Sequence, residues 1–121
     1  MLECEVFVVG LSVRVNAETV YEPDVLLRCG ARLGDDVVEI SDPTVVIEVS
    51  SASTQSTDAA GKLADYFQLA SVRHYLIVHG KQRTIIHHER GGIGEIATRI
   101  IREGGVRLDP PGVVLEGVFG D

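Results

Sequence analysis

The sequence lacks any apolar run long enough to cross a bilayer. Its longest runs are a few residues, whereas a membrane-spanning helix needs about 20. The first residues, Met1 to Glu5, include two acidic side chains and no basic segment, which argues against a secretory signal peptide. We therefore expect a cytoplasmic protein with no membrane partner.

Cysteine is also scarce, with Cys4 and Cys29 as its two occurrences. They form no Cys-x-x-Cys pair and no pattern typical of a zinc site. The interpretation from sequence is a pair of reduced, half-buried thiols in a cytosolic protein.

Positive charge is in deficit, because 18 acidic residues outnumber 11 basic ones and give a net charge of −7. Residues 1–60 carry a net −8, whereas residues 61–121 carry +1. This balance excludes a strong non-specific nucleic-acid binder but leaves a local basic face open in the second half. Four residues could form such a face: Arg73, Lys81, Arg83 and Arg90. The acidic half suits a hard-cation site, or it simply keeps the protein soluble.

What the chain does have is the length and apolar content of one domain. Its 121 residues are 45% hydrophobic, so we expect a single domain over 1–121 with a real core. Alternating or β-branched segments predict strands, and the strongest is Thr44–Ser50. The predicted strands are 4–9, 12–16, 24–28, 44–50, 74–79, 84–89 and 95–102, with a short one within 37–40.

One segment, residues 58–71, has the periodicity of a helix. Its apolar residues recur at helical spacing and form one face; they are Ala60, Leu63, Phe67 and Ala70. Thr57 or Asp58 is a plausible N-cap. After the break at Pro110–Pro111–Gly112, a short terminal segment has a helix as one interpretation.

This order of elements predicts an α/β or α+β fold, with a mixed β-sheet and one main helix covering one face. The other face of the sheet then needs a cover. A partner subunit could supply it, which predicts a homodimer.

Glu48 is the residue most indicative of chemistry, because it lies within the apolar run Val45–Val49. Strand alternation would place it on one face with Thr44, Val46 and Ser50. An ionised carboxylate there is costly unless it is paired. The alternatives to a functional role are an edge strand with Glu48 facing water, or a buried ion pair with an arginine.

Asp24 and Lys62 are the next candidates. Asp24 follows Pro23, which is equally typical of an ordinary turn. Lys62 lies near the start of the predicted helix, where a cation does not complement the helix dipole; it could simply pair with Asp58 or Asp65. Two carboxylates and a lysine are also the groups used in metal-assisted phosphodiester cleavage. By contrast, His87 and His88 would point to opposite faces of a strand and could not bind one metal together.

Taken together, several motifs resemble the Uma-type restriction endonuclease family of the PD-(D/E)XK nuclease superfamily. The resemblance covers residues 4 to 119. The motifs that carry it are Tyr21-Glu22-Pro23-Asp24, Val46-Ile47-Glu48-Val49-Ser50-Ser51, Asp58, Gly61-Lys62-Leu63, Tyr66 and His74-Tyr75-Leu76-Ile77-Val78.

The resemblance implies a restriction-endonuclease-like core with a divalent metal site. It implies that Asp24 and Glu48 are ligands of Mg²⁺ (or Mn²⁺), with the Val49 backbone carbonyl as a third, and that Lys62 is the catalytic lysine. The superfamily pattern would place that lysine at position 50, which is Ser50 here. In the Uma-type family a lysine on the following helix takes its place, and Lys62 fits that position.

The largest departure is at the front of the chain. Family members usually carry an N-terminal region, with a helix and often another acidic residue, before the segment that matches residues 4–16. Relative to the family we therefore expect an N-terminally shortened domain, in which part of the metal site could be missing.

Two functions follow from this sequence. The first is a metal-dependent DNA endonuclease with Asp24, Glu48 and Lys62 in its active site. The alternative is a non-catalytic remnant of the same fold that acts as a dimerising or interaction module.

Overall fold

The computed structural model describes residues 3–8, 10–50 and 59–119. Within these residues the chain forms eleven strands and one helix. In chain order they are β1 (Cys4–Val8), β2 (Ser12–Asn16), β3 (Thr19–Tyr21), β4 (Val25–Cys29), β5 (Glu39–Ile40), β6 (Val45–Ser50), α1 (Ala59–Tyr66), β7 (His74–His79), β8 (Thr84–Arg90), β9 (Ile96–Ile101), β10 (Val106–Leu108) and β11 (Val113–Leu115).

A mixed sheet forms the centre of the fold, with strand order β1-β4-β6-β7-β8-β9. The pair β6–β7 is parallel and its connection contains α1, while the other neighbours are antiparallel. The β-branched run predicted as the strongest strand, β6, lies inside the sheet between β4 and β7. The predicted mixed sheet with one main helix is confirmed.

One side of this sheet, which we call the helix face, packs against α1 and a small sheet of order β3-β2-β5. Its core joins side chains from all three layers. The fully packed members are Leu11, Val13, Leu26, Ile40, Val46, Tyr66 and Tyr75. Val46 and Tyr75 are register partners on β6 and β7, so alternation sends both side chains to this face.

The opposite side, which we call the hairpin face, is covered by the antiparallel pair β10–β11. Val106 and Leu108 are buried against Leu76 and Ile85, and Arg107 between them is exposed. The segment after Pro110–Pro111–Gly112 forms β11, the second strand of this hairpin, so its interpretation as a helix was wrong. Pairing with β10, in which buried and exposed residues alternate, favours a strand there. The chain itself supplies the cover that we had assigned to a partner subunit.

The helix is shorter than predicted, because α1 ends at Tyr66 and turns continue to Ser71. The amides of Gln68 and Leu69 bond to carbonyls three residues back, at 3.0 and 3.1 Å. This tighter pattern is usual where a helix ends. Arg90 of β8 then donates to the carbonyls of Phe67, Leu69 and Val72, at 2.8–3.0 Å. The predicted start at Asp58 and its N-cap lie outside the described residues.

Cys4 and Cys29 form a disulfide, so the interpretation as free thiols was wrong. The reason is register: Cys4 stands directly opposite Cys29 in the antiparallel pair β1–β4. Sequence spacing alone could not reveal this pairing. The bond ties the edge strand β1 to the sheet.

Other strand limits differ slightly from those predicted. The structure adds β3, which pairs with β2 across a tight turn, and it shortens the 37–40 strand to Glu39–Ile40. The helix of the described residues is too short to cross a membrane.

Candidate active site

Glu48 lies on the helix face, near the end of β6 that also carries Val49 and Ser50. Its side chain is 17% exposed. Because β6 has a neighbour on each side, the alternative of an edge strand facing water is excluded. The other alternative, an ion pair, is realised, but its partner is a lysine instead of an arginine.

That partner is Lys62 of α1. Its Nζ lies 3.0 Å from Glu48 Oε1 and 5.3 Å from the centre of the Tyr21 ring. Asp65, a suggested helical partner, instead accepts hydrogen bonds from the Tyr21 hydroxyl at 2.5 Å and from Gln68 at 3.3 Å. The other suggested partner, Asp58, lies outside the described residues. The βαβ connection thus brings together two groups 14 residues apart.

Asp24 reaches the same end of β6 from the neighbouring strand. It precedes β4, and β4 runs antiparallel to β6, so the start of β4 adjoins the end of β6. Asp24 Oδ2 accepts a hydrogen bond from the Val49 backbone amide at 2.7 Å. Its carboxylate therefore lies beside the peptide that links Glu48 to Val49.

Tyr75 is a site residue to which sequence reasoning gave no role. Its hydroxyl donates to Glu48 Oε2 at 2.8 Å, so both oxygens of Glu48 have partners. Burial, and then the nearby Glu48 charge, raise the pKa of the Tyr75 hydroxyl. The hydroxyl therefore stays protonated and can donate. Tyr75 belongs to the motif around β7. Because an aromatic residue in a strand is usually a core residue, the sequence did not indicate its hydrogen bond to Glu48.

Tyr66 completes a row of three aromatic rings behind the carboxylate. Its ring centre lies 5.2 Å from that of Tyr21 and 5.0 Å from that of Tyr75. Its side chain is fully buried, yet its hydroxyl has no hydrogen-bond partner among the described residues. Burial and the charges of Glu48 and Asp24 raise its pKa. A neutral hydroxyl donor near the two carboxylates is thus left for a further oxygen ligand or water.

The suggested basic face loses one member in the structure. The Arg90 guanidinium donates hydrogen bonds to main-chain carbonyls and lies 5.1 Å from the Phe67 ring centre. It therefore stabilises the turns that follow the helix. Lys81 is exposed in the β7–β8 turn. His88 stacks on Tyr75 on the helix face while His87 is buried on the hairpin face, as the alternation predicts.

With this geometry in place, comparison with known proteins identifies the family. The chain matches the Uma2 family model, described as "Putative restriction endonuclease", over residues 2–118. It belongs to the Uma2 family. None of the curated proteins matches it.

A solved structure supports the same fold. It is described as a "putative nuclease belonging to DUF820" from Anabaena variabilis, with a TM-score of 0.61 and 13% sequence identity. The match covers 87% of this chain and 58% of that one. At this identity the likeness shows the fold alone, and this Uma2 chain has the mixed sheet and short helix of a nuclease-like domain.

Proposed function

We propose that this Uma2 chain is a Mg²⁺- or Mn²⁺-dependent DNA endonuclease that hydrolyses phosphodiester bonds. Asp24, Glu48 and the Val49 carbonyl would hold the ion, and Lys62 would assist attack by water. The observation that carries the proposal is the 3.0 Å contact of Lys62 with Glu48 beside Asp24, at one end of β6. The family description, a putative restriction endonuclease, supports DNA as the proposed substrate.

The residues present fit a hard divalent cation. Two carboxylates and a backbone carbonyl offer oxygen ligands only, which Mg²⁺ prefers, and such sites usually keep several waters on the ion. The buried Tyr66 hydroxyl, which has no hydrogen-bond partner within residues 3–8, 10–50 and 59–119, could hydrogen-bond one of these waters. When bound, the ion would supply Lewis-acid activation of the phosphodiester and of water.

The protein's own groups would position the reaction. Tyr75 and Lys62 each hold one oxygen of Glu48, which orients its carboxylate. Lys62 is 27% exposed at its side chain, so its ammonium can also reach a bound phosphate. There it would steady the negative charge that develops during attack. Lys81 and Arg83, in the turn after β7, remain candidates for contacts with DNA phosphates beside this site. Arg73, the other suggested member, precedes β7 and lies at the opposite end of the β6–β7 pair.

The alternative, a non-catalytic interaction module, has one observation in its favour. Ile100 on the edge strand β9 is 69% exposed, and an unpaired edge with apolar side chains is suited to a second chain. A homodimer stays a prediction, although the face for which we expected it is covered by β10–β11; light scattering of the purified protein checks it. A cytoplasmic location also stays a prediction. The argument for it from reduced cysteines no longer applies, because Cys4 and Cys29 form a disulfide.

Calorimetric titration with Mn²⁺ is the first test of the proposed site. We expect saturable binding by the wild-type chain and none by the Asp24→Ala/Glu48→Ala double variant. The matched control is Glu18→Gln, which changes an exposed carboxylate in the β2–β3 turn and should bind like wild type.

Cleavage of supercoiled plasmid DNA then separates the two functions. The endonuclease predicts nicking that requires Mg²⁺ or Mn²⁺ and is lost in the double variant. Cleavage in the presence of a chelator, or equal cleavage by both proteins, would contradict it. A dimer with neither Mn²⁺ binding nor cleavage would favour the interaction module.

A further inference from the structure

A second group of ligand-type side chains lies on the hairpin face, away from the proposed nuclease site. His74 comes from β7, and His87 and Glu89 come from β8. One potential ligand atom from each lies within 4.8 Å of the others. His74 pairs with Glu89 across the strands and His87 is two residues from Glu89, so all three project from the same side. No other such group of three occurs in the part of the chain that the structure describes.

The hydrogen bonds of His74 determine which of its nitrogens can bind a metal. His74 Nε2 lies 2.8 Å from the Pro110 carbonyl oxygen. A carbonyl only accepts, so Nε2 carries the proton. Burial lowers the pKa of His74 and keeps the ring neutral, which leaves a lone pair on Nδ1. Histidine ligands of metals commonly donate their other N–H to a backbone carbonyl in this way.

His87 faces that lone pair. Its Nε2 lies 2.9 Å from His74 Nδ1, and both rings are buried. Burial, with the neighbouring His74, lowers the pKa of His87 to about 4. Both imidazoles are therefore neutral near pH 7, as metal binding requires. In the metal-free chain, His87 Nε2–H donates a hydrogen bond to His74 Nδ1.

Glu89 adds a negative oxygen ligand that is already oriented. Its Oε1 accepts from Arg99 Nη1 at 2.6 Å, and this bond lowers the pKa of the carboxyl group. Hydrogen-bonded carboxylates of this kind are common around metals. His87 and Glu89 also line a groove of about 550 Å³ that opens to solvent, together with Arg99 and Asp109. The groove offers an entry path and room for a water ligand.

We propose that His74 Nδ1, His87 Nε2 and the Glu89 carboxylate form a second metal site, for a borderline cation of the Zn²⁺ type. Two imidazoles and one carboxylate select such ions over Mg²⁺. Ligand atoms at tetrahedral Zn²⁺ lie about 3.3 Å apart. The two histidine nitrogens, now 2.9 Å apart, would separate slightly, and a small rearrangement of a group that lies within 4.8 Å would fit it to an ion. On binding, His87 moves its ring proton from Nε2 to Nδ1, and no proton is lost.

The competing explanation is a hydrogen-bonded histidine pair that only packs the core. Titration with Co²⁺, a spectroscopic substitute for Zn²⁺, distinguishes the two. We expect the visible absorption of a low-coordinate site to saturate at one Co²⁺ per chain, and the affinity read from this absorption to be weaker by on the order of 100-fold in His87→Gln. The control is His88→Gln, the neighbouring histidine on the opposite face, which should bind like wild type.

Two further measurements complete the test. Zn²⁺ should raise the melting temperature of Asp24→Ala/Glu48→Ala, which lacks the proposed nuclease site and keeps this one, but not that of the same double variant with His87→Gln added. If His87→Gln does not fold, Glu89→Gln replaces it and should bind Co²⁺ at least about 10-fold more weakly. No saturable Co²⁺ binding by wild type, or equal binding by these variants, would overturn the proposal. Because the nuclease test uses different residues and Mn²⁺, either proposal can fail alone.

Discussion

The two faces of the central sheet differ in the charge of the polar side chains that they carry. The helix face holds a charged pair, Glu48 and Lys62, together with tyrosine hydroxyls, at one end of β6. The hairpin face holds a neutral pair, His74 and His87, which is buried between the apolar core of that face and a groove that opens to solvent. Alternation along β6, β7 and β8 sends neighbouring residues to these two environments.

The comparison shows why burial alone does not identify the candidate active site. The histidines are more buried than Glu48 and Lys62, and burial lowers their pKa. The charged pair keeps partial exposure at the strand end, where a substrate can reach it. We therefore expect substitutions of the charged pair on the helix face to reduce activity. Substitutions in the core of the hairpin face should instead reduce stability.

The largest expected effect is on cleavage through the helix face. Lys62→Met keeps most of the apolar stem but removes the charge, and should slow plasmid cleavage by on the order of 100- to 1,000-fold. Initial rates at fixed Mg²⁺ measure this. Arg14→Met, which removes an exposed cation paired with Glu39, should change the rate less than about twofold. Equal rates for both variants would remove Lys62 from the proposed mechanism.

Substitutions in the core of the hairpin face should lower the free energy of unfolding instead of the cleavage rate. Leu76 is fully buried in its core, and Leu76→Ala should cost about 3 kcal/mol of unfolding free energy, measured in urea. Ile100→Ala on the exposed edge is the control and should cost less than about 1 kcal/mol. If the two costs are similar, the hairpin does not close this face in solution.

The disulfide should contribute almost as much. It closes a loop with a sequence separation of 25 residues, and such a cross-link is worth about 3 kcal/mol through the entropy of the unfolded chain. Cys4→Ser/Cys29→Ser should show this loss, and reductant should produce a similar loss in wild type only. Two reactive thiols in the native, unreduced protein would contradict the pairing.

Acid should act first on the hairpin face. The folded pKa of His87 is about 4, below its unfolded value of about 6.5. The unfolded chain therefore binds more protons between these values, and stability falls as the pH drops from about 6.5 towards 4, by roughly 1–3 kcal/mol. His74 shifts in the same direction, and Glu89 and Arg99 act on His87 with opposite signs.

Melting temperatures between pH 7 and pH 4 check this expectation. His87→Gln should flatten part of the pH dependence, whereas Glu18→Gln at an exposed site should follow wild type. A wild-type profile that is flat over this range would show that the histidines are not held neutral.

The smallest effect is expected for Tyr75→Phe, which removes one hydrogen bond to Glu48 and keeps the ring. A loss of about 1 kcal/mol in transition-state stabilisation corresponds to roughly a fivefold slower cleavage. Because Tyr75 acts by positioning Glu48, Mn²⁺ affinity should fall with the rate. Tyr21→Phe, which removes a hydroxyl bonded to Asp65 and keeps the ring beside Lys62, should keep wild-type Mn²⁺ affinity. An unchanged Mn²⁺ affinity in Tyr75→Phe would show that Tyr75 contributes only to packing.

Much of the site could be located from local pattern. The acidic residue in a β-branched strand marked Glu48, and alternation correctly placed it with Val46. Asp24 and Lys62 were the next candidates, and the motif resemblance implied their roles as metal ligand and catalytic lysine. The structure brings both to the same strand end. Tyr75 was missed because hydrogen bonding by a buried hydroxyl depends on which residue faces it from another strand.

The sequence by itself determined the succession of strands, one helix and further strands, the mixed sheet and the family, since periodicity and motifs are properties of neighbouring residues. It did not predict the short strands β3, β10 and β11. Tertiary structure alone decided three contacts: the Cys4–Cys29 bond, the cover of the hairpin face by β10–β11, and the meeting of His74 with His87. Each depends on strand register or packing between distant segments. Such long-range pairing is decided by the free energy of the whole fold, which no local window of the sequence contains.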